Sequence, residues 1–117
     1  MKHSIWFAAL ATLTAAPALA LDCDAGFRAF THLKGESCIP ENPQRIVSLG
    51  SKNVTVPMIE LGVMPVGSQG TLPDGGQPTI RASATSTGVD FANSEIAFVG
   101  DYPVDLEAVA ALSPDLI

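Results

Sequence analysis

Three short apolar runs constrain the fold of this chain more than any other feature. They are Arg45-Ile46-Val47-Ser48-Leu49-Gly50, Val63-Met64-Pro65-Val66-Gly67 and Ile96-Ala97-Phe98-Val99-Gly100. Each has the length of a strand, and each closes on a glycine, where a strand ends and the chain turns. Residues 51–62, SKNVTVPMIELG, join the first two runs and predict a short helix. Strand, short helix and strand in so few residues make a compressed βαβ unit, for which parallel pairing is the default. With 47% hydrophobic and 15% charged residues, the 117-residue chain has the composition of a modest globular domain.

The start of the first helix is set by Pro57. A helix capped at Ser51 would put this proline deep enough to lose a hydrogen bond and clash with the preceding turn, whereas Thr55 as N-cap leaves it in the first turn. Thr55 is therefore the expected cap, with Met58, Ile59 and Leu61 facing a core and Gly62 as the C-terminal stop. Residues 68–95 are rich in Gly, Ser, Thr and Pro and poor in apolar side chains. A loop this long inside a compact domain is either functional or a mobile surface excursion. After the third run, Asp105 is a plausible N-cap for a helix with Leu106, Val109, Ala110 and Leu112 on one face, stopped by Ser113-Pro114. Asp115-Leu116-Ile117 then enters a fourth strand, which makes the fold class α/β with an open, largely parallel sheet.

Residues 1–20 stand apart. Lys2 and His3 precede an apolar run that is diluted by Ala and Thr, broken by Pro17 and closed by Ala18-Leu19-Ala20, a small-x-small cleavage signal. This pattern predicts a cleaved secretory signal peptide rather than a membrane anchor, and a mature chain starting at Leu21 in the periplasm. Asp22, directly before Cys23, disfavours lipid attachment at that cysteine. In an oxidising compartment Cys23 and Cys38 can pair, closing a loop of about 15 residues for ~3 kcal/mol. Two cysteines with only His32 between them lack the ligand count of a structural zinc site, while a thiol activated by His32 or Lys34 stays open. Loss of Lys2 leaves five Lys/Arg against twelve Asp/Glu, a formal charge of −7. That balance argues against nucleic acid or anionic lipid as a partner and suits docking onto a basic surface.

Residues 27–39, FRAFTHLKGESCI, predict a peripheral hairpin in which Phe27, Phe30 and Leu33 supply apolar contacts and Lys34-Gly35 turn the chain. Residues 21–44 thus form a hairpin and linker, with Pro40 and Pro43 leading into the α/β portion at 45–117. No GxSxG elbow, HExxH, P-loop or GxGxxG occurs. Asp74-Gly75-Gly76 is a turn, and the acids Asp101, Asp105 and Glu107 favour a helix N-terminus. No nucleophile with its base is evident, so the chain is not expected to be an enzyme, and no cofactor is expected.

The runs PQRIVSLG, ELGVMPVG and VGDYPVDLEAVAALSPDLI occur in the order and approximate spacing found in the N-terminal lobe of periplasmic binding proteins that serve ABC importers of iron-siderophore complexes, with haem and cobalamin binders as relatives. The chain resembles that family over residues 27–117. The resemblance implies a two-lobed α/β protein, its lobes joined by a long helix and its ligand held between them, of which this chain corresponds to the first part. It implies capture of a ferric siderophore without chemistry, delivery to an inner-membrane permease, and a monomer. The alternatives are a haem or cobalamin binder of the same fold, or a non-transport secreted interaction or sensor domain.

Candidate ligand-binding residues follow from the rule that ligands of open parallel sheets gather beyond the carboxyl ends of the strands. That selects Gly50, Ser51 and Lys52 after the first run, Ser68, Gln69 and Gly70 after the second, and Gly100, Asp101 and Tyr102 after the third. Tyr102 combines a ring that can pack on a planar ligand with a hydroxyl, and otherwise caps a turn before Pro103. Arg81, in the polar loop, is a candidate partner for an anionic siderophore, and a solvated surface arginine is its plainer reading. The resemblance also places Glu107 where the first lobe presents a glutamate to basic residues of the permease. The family commonly carries an acid directly after the position of Thr55, and this chain has Val56 there.

Overall fold

The computed structural model describes residues 21–117, so the leader assigned to residues 1–20 lies outside the described residues. An antiparallel hairpin comes first, built from β1 (Phe27–His32) and β2 (Gly35–Pro40) with Ala29 opposite Cys38 and Thr31 opposite Glu36. Leu33 and Lys34 form the connection, and Gly35 opens β2 at φ 128°, a conformation that favours glycine. Cys23 and Cys38 form a disulfide with their Cα atoms 5.6 Å apart. The apolar contacts expected of Phe27, Phe30 and Leu33 are not made with a core, because all three are exposed. Phe30 instead packs locally, with the Arg28 guanidinium 5.9 Å from its ring centre and the His32 ring stacked on it at 6.4 Å.

The second sheet is parallel and three-stranded, in the order β3 (Val47–Ser48), β4 (Gly67–Ser68), β5 (Ala97–Phe98). Leu116 adds a parallel bridge to Ile46 on the far side of β3, and the Val47 N–H donates to the Leu116 carbonyl at 3.0 Å. Successive side chains in a strand point to opposite faces. On one face Val47 and Val99 pack with Val109 and Leu112. Val109 lies in α3 (Leu106–Ala111) and Leu112 is its C-cap, while Asp105 caps the start of the helix by accepting from the Glu107 and Ala108 N–H groups. Leu106 does not share the buried face, being 74% exposed, and Ala110 is exposed too. The contact face of this six-residue helix runs through Ala108, Val109 and Leu112, one step round from the expected stripe.

Val56, Ile80 and Ile96 form a second buried cluster, joined by Ile59, Val89 and Phe91. The first helix reaches this cluster by a route that differs from the expected one. Thr55 holds the N-cap position of α1, as expected, with Pro57 in the first turn, but its side chain makes no capping hydrogen bond and its dihedrals are helical, φ −61° and ψ −47°, because a helical segment already starts at Ser51. Residues Ser51–Thr55 form a π-type turn running directly into α1 (Val56–Glu60), and the Gly50 carbonyl accepts from both the Val54 and Thr55 N–H groups at 2.9 Å. Pro57 has no N–H to give, and the wide turn just before it accommodates the proline where a regular α-turn would clash. Gly62, at φ 81°, stops the helix as expected, with the Val63 N–H returning to the Met58 carbonyl. Met58 and Ile59 are half-buried, but Leu61 is 83% exposed and belongs to the exit turn rather than to the core.

Residues 68–95 are more ordered than their composition implies. Thr71 and Thr79 pair across a turn, and Asp90 caps the 3₁₀ turn Phe91–Asn93 in a capping box with Asn93. A short helix, α2 (Ser83–Ser86), lies between them. Of the sparse large apolar residues in this stretch, Ile80, Val89 and Phe91 are used in the second cluster, and Leu72 is left half-exposed.

A carboxylate clamp joins the two ends of the α/β portion. Asp115 accepts from the Gln44 N–H at 2.8 Å and from the Arg45 N–H at 2.9 Å, while the Arg45 side chain donates to the carbonyls of Leu112 and Ser113 at the end of α3. The Gln44 N–H, more than any other group, holds the Asp115 carboxyl below its ordinary value, with the Arg45 N–H and guanidinium acting in the same direction. Because the folded-state value is depressed, the clamp contributes fully above the unfolded-state value, near 3.8, and is lost as pH falls through the lower folded one. Asp115→Asn is therefore expected to lower the midpoint of urea unfolding more at pH 7 than at acid pH, where the native carboxyl takes up its proton. Equal losses at both pH values would show that the charge is not what matters.

Candidate functional site

The carboxyl ends of β3, β4 and β5 share one rim, and most of the residues selected from sequence lie on it. Gly50 stands at the head of the first helical segment, followed by half-buried Ser51 and exposed Lys52. Gln69 follows β4 and binds the sheet through its N–H, which donates to the Ser48 carbonyl at 2.8 Å. Gly70 admits no side chain, since a Cβ would lie 2.5 Å from the Phe91 ring and 2.8 Å from the Thr79 carbonyl. The Gly70 N–H in turn donates to the Gly100 carbonyl, so the exits of β4 and β5 are stitched together.

Asp101 and Gln69 are tied to each other. The Gln69 side-chain amide donates to the Asp101 carbonyl at 2.9 Å, and the Asp101 carboxylate accepts from the Leu72 N–H at 2.9 Å. These two polar groups therefore hold the rim in shape. Tyr102 is the side chain they leave outward: it is 90% exposed, directly after the anchored Asp101 and before Pro103. Leu72, anchored by the same carboxylate, is a half-exposed apolar neighbour that the sequence did not single out. Lys52 and Tyr102 are thus the cationic and aromatic groups this rim presents to solvent.

Arg81 and Glu107 sit elsewhere. Arg81 is exposed in the turn after buried Ile80, where the Ile80 N–H donates to Asp90. Glu107 is exposed in the first turn of α3. The three acids 101, 105 and 107 have separate surroundings: Asp101 secures Leu72, Asp105 caps α3, and Glu107 faces solvent.

Ser68, selected from sequence as a residue beyond the second strand, lies instead inside β4, in a buried set of hydroxyls beneath the rim whose mutual bonding the sequence did not show. Thr55 Oγ1 donates to Ser48 Oγ at 2.8 Å and lies 2.6 Å from Ser68 Oγ, which is 2.7 Å from the Gln69 carbonyl. Ser48, Thr55 and Ser68 are all buried. Their signal in the sequence is a serine inside each of two strands at matching register, with a threonine in the helix that packs over them. The trio joins β3, β4 and the helical segment directly below Gly50 and Gln69, and so fixes the height of the rim.

Two open grooves of about 640 Å³ each flank the sheet. One lies at the amino ends of the strands and is bordered by Arg45, Pro65, Asn93 and Glu95, opposite the rim. The other runs along β3 between Leu49, Val54, Met58, Val63 and Leu116, and is almost wholly apolar. Among the described residues no group of three or more His, Cys, Asp or Glu side chains is placed to hold a metal ion. The rim presents a cation, an aromatic ring and backbone groups on a fixed frame. No protein-family model matches the chain, and no curated protein matches it.

Proposed function

We propose that this chain is the first-lobe portion of the solute-binding component of an ABC importer, which captures a ferric siderophore in the periplasm and delivers it to the inner-membrane permease. The observation that carries the reading is the rim: parallel strands end together, and internal hydrogen bonds consume Gln69 and Asp101 while leaving Tyr102 and Lys52 outward. A ferric chelate presents flat, electron-rich and commonly anionic surfaces. An aromatic face and an ammonium group are suited to it. Gly50 and Ser51 are the further contacts proposed for the ligand at the rim, and Glu107 the contact for basic residues of the permease; Arg81, away from the rim, is left as a solvated arginine. Opposite charges at such a docking site act mainly on encounter rate and orientation.

Tyr102 supplies the test directly, because it is the only tyrosine in the sequence and the only tryptophan is Trp6. Titration of the exported protein with ferric siderophores is expected to quench tyrosine emission saturably, while the iron-free chelators quench it less. Tyr102→Ala is expected to weaken retention of radio-iron chelate about three- to tenfold, the magnitude of an aromatic contact. Co-purifying haem or corrin absorption would redirect the reading to those ligands. Absence of saturable binding to any of them would overturn it in favour of a secreted interaction domain.

A further inference from the structure

We infer that removal of residues 1–20 seats the new α-ammonium of Leu21 on the carboxylate of Glu36, so that processing completes a brace which the Cys23–Cys38 disulfide begins. The inference rests on the leader reading and is independent of what ligand the rim takes.

The geometry is specific. Leu21 N lies 3.2 Å from Glu36 Oε2, and the Thr31 hydroxyl donates to Glu36 Oε1 at 3.2 Å. Thr31 and Glu36 are cross-strand partners, so the hairpin itself orients the carboxylate before residue 21 arrives. Glu36 and Cys38 are two apart in β2 and share a face. Leu21 and Cys23 are also two apart. The disulfide thus brings residue 23 to residue 38, and the same spacing brings residue 21 to residue 36. Among the described residues nearest the Ala18-Leu19-Ala20 signal, the one whose nitrogen meets a carboxylate, Leu21, is the one that cleavage after Ala20 would make first.

Cleavage changes what that nitrogen is. Hydrolysis breaks the Ala20–Leu21 C–N bond; the hydroxyl of water goes to the Ala20 carbonyl carbon and its proton to Leu21 N. With one more proton from solvent the nitrogen becomes an ammonium at neutral pH. A peptide N–H with one hydrogen is replaced by a group with three donors and a positive charge, so the contact with Glu36 becomes a charge-assisted hydrogen bond. The other charged group beside the amine is its chain neighbour Asp22, also an acid, which acts in the same direction. Replacing Glu36 isolates the share of Glu36.

The test uses the exported chain. Its first residue is read by N-terminal sequencing and the disulfide by mass, and the α-amine is titrated by the pH dependence of its reductive methylation. In Glu36→Gln the midpoint is expected to lie about half a pH unit lower than in the parent, the scale of an exposed ion pair. A second variant with one alanine added before Leu21 keeps Glu36 but displaces the amine, and its midpoint is expected to match that of Glu36→Gln. Equal midpoints in all three proteins would overturn the pairing. A first residue other than Leu21 would overturn it too, by removing the leader reading on which it stands.

Discussion

Reduction of the Cys23–Cys38 disulfide is expected to release the hairpin while the parallel sheet stays folded. The hairpin has two strands, and apart from half-buried Ile39 and Pro40 its residues are exposed. Isolated two-stranded hairpins are marginal in water, since they bury little and still fix a dozen backbones. The cross-link between residues 15 apart in sequence contributes about 3 kcal/mol by restricting the unfolded chain, more than such a hairpin can spare. Val47, Val99 and Val109 belong to a cluster that includes no hairpin residue. Hydrogen exchange on the oxidised and reduced chain is the measurement. Amides of β1 and β2 are expected to lose protection together, and those of β3, β4 and β5 to keep theirs. Unfolding of both units at once would show that the hairpin carries the sheet.

Thr55→Val is expected to destabilise the α/β portion by about 2 kcal/mol, read as a lower midpoint of urea unfolding. Valine has the shape of threonine, so the cavity term is small and the hydroxyl is what is removed. Ser48 loses its donor, and Ser68 keeps only the Gln69 carbonyl, in a region where neither serine meets water. A buried polar group without a partner costs more than the bond it made contributed. The companion experiment adds Ser48→Ala and Ser68→Ala to Thr55→Val. The triple variant removes the stranded groups as well, and is expected to recover part of the loss. A triple variant whose loss equals the sum of three separate losses would show that the hydroxyls act singly.

The elements with local chemistry were legible before the structure. Asp105 is followed by a helical pattern and ended by Ser113-Pro114, and it caps α3. Gly62 stops α1, and Lys34-Gly35 lies at the turn of the hairpin. What was not legible depends on partners distant in sequence. Thr55 satisfies the description of an N-cap, but its hydroxyl is drawn to Ser48 and Ser68, and the helix begins earlier through a wide turn that no propensity announces. Leu106 and Leu61 have the hydrophobicity of core residues, yet in helices this short the packing angle, not the residue type, decides which side is covered. Gln69 and Asp101 were selected as ligand contacts from their place after strands. The structure gives each a structural partner, a distinction that only the fold can draw.

The Asp115 clamp also sets an order of events. β3 lies between β4 and Leu116, so its register is secured on one side by a neighbour about 20 residues on and on the other by residues some 70 positions downstream. A chain synthesised from its amino end delivers Arg45 long before Asp115. During that interval one flank of β3 stands open, and the hairpin, whose contacts are all local, is already complete. For a chain that emerges amino end first this is a division of labour in time: the outlying hairpin can close early, and β3 locks on this flank only once Asp115 and Leu116 are present.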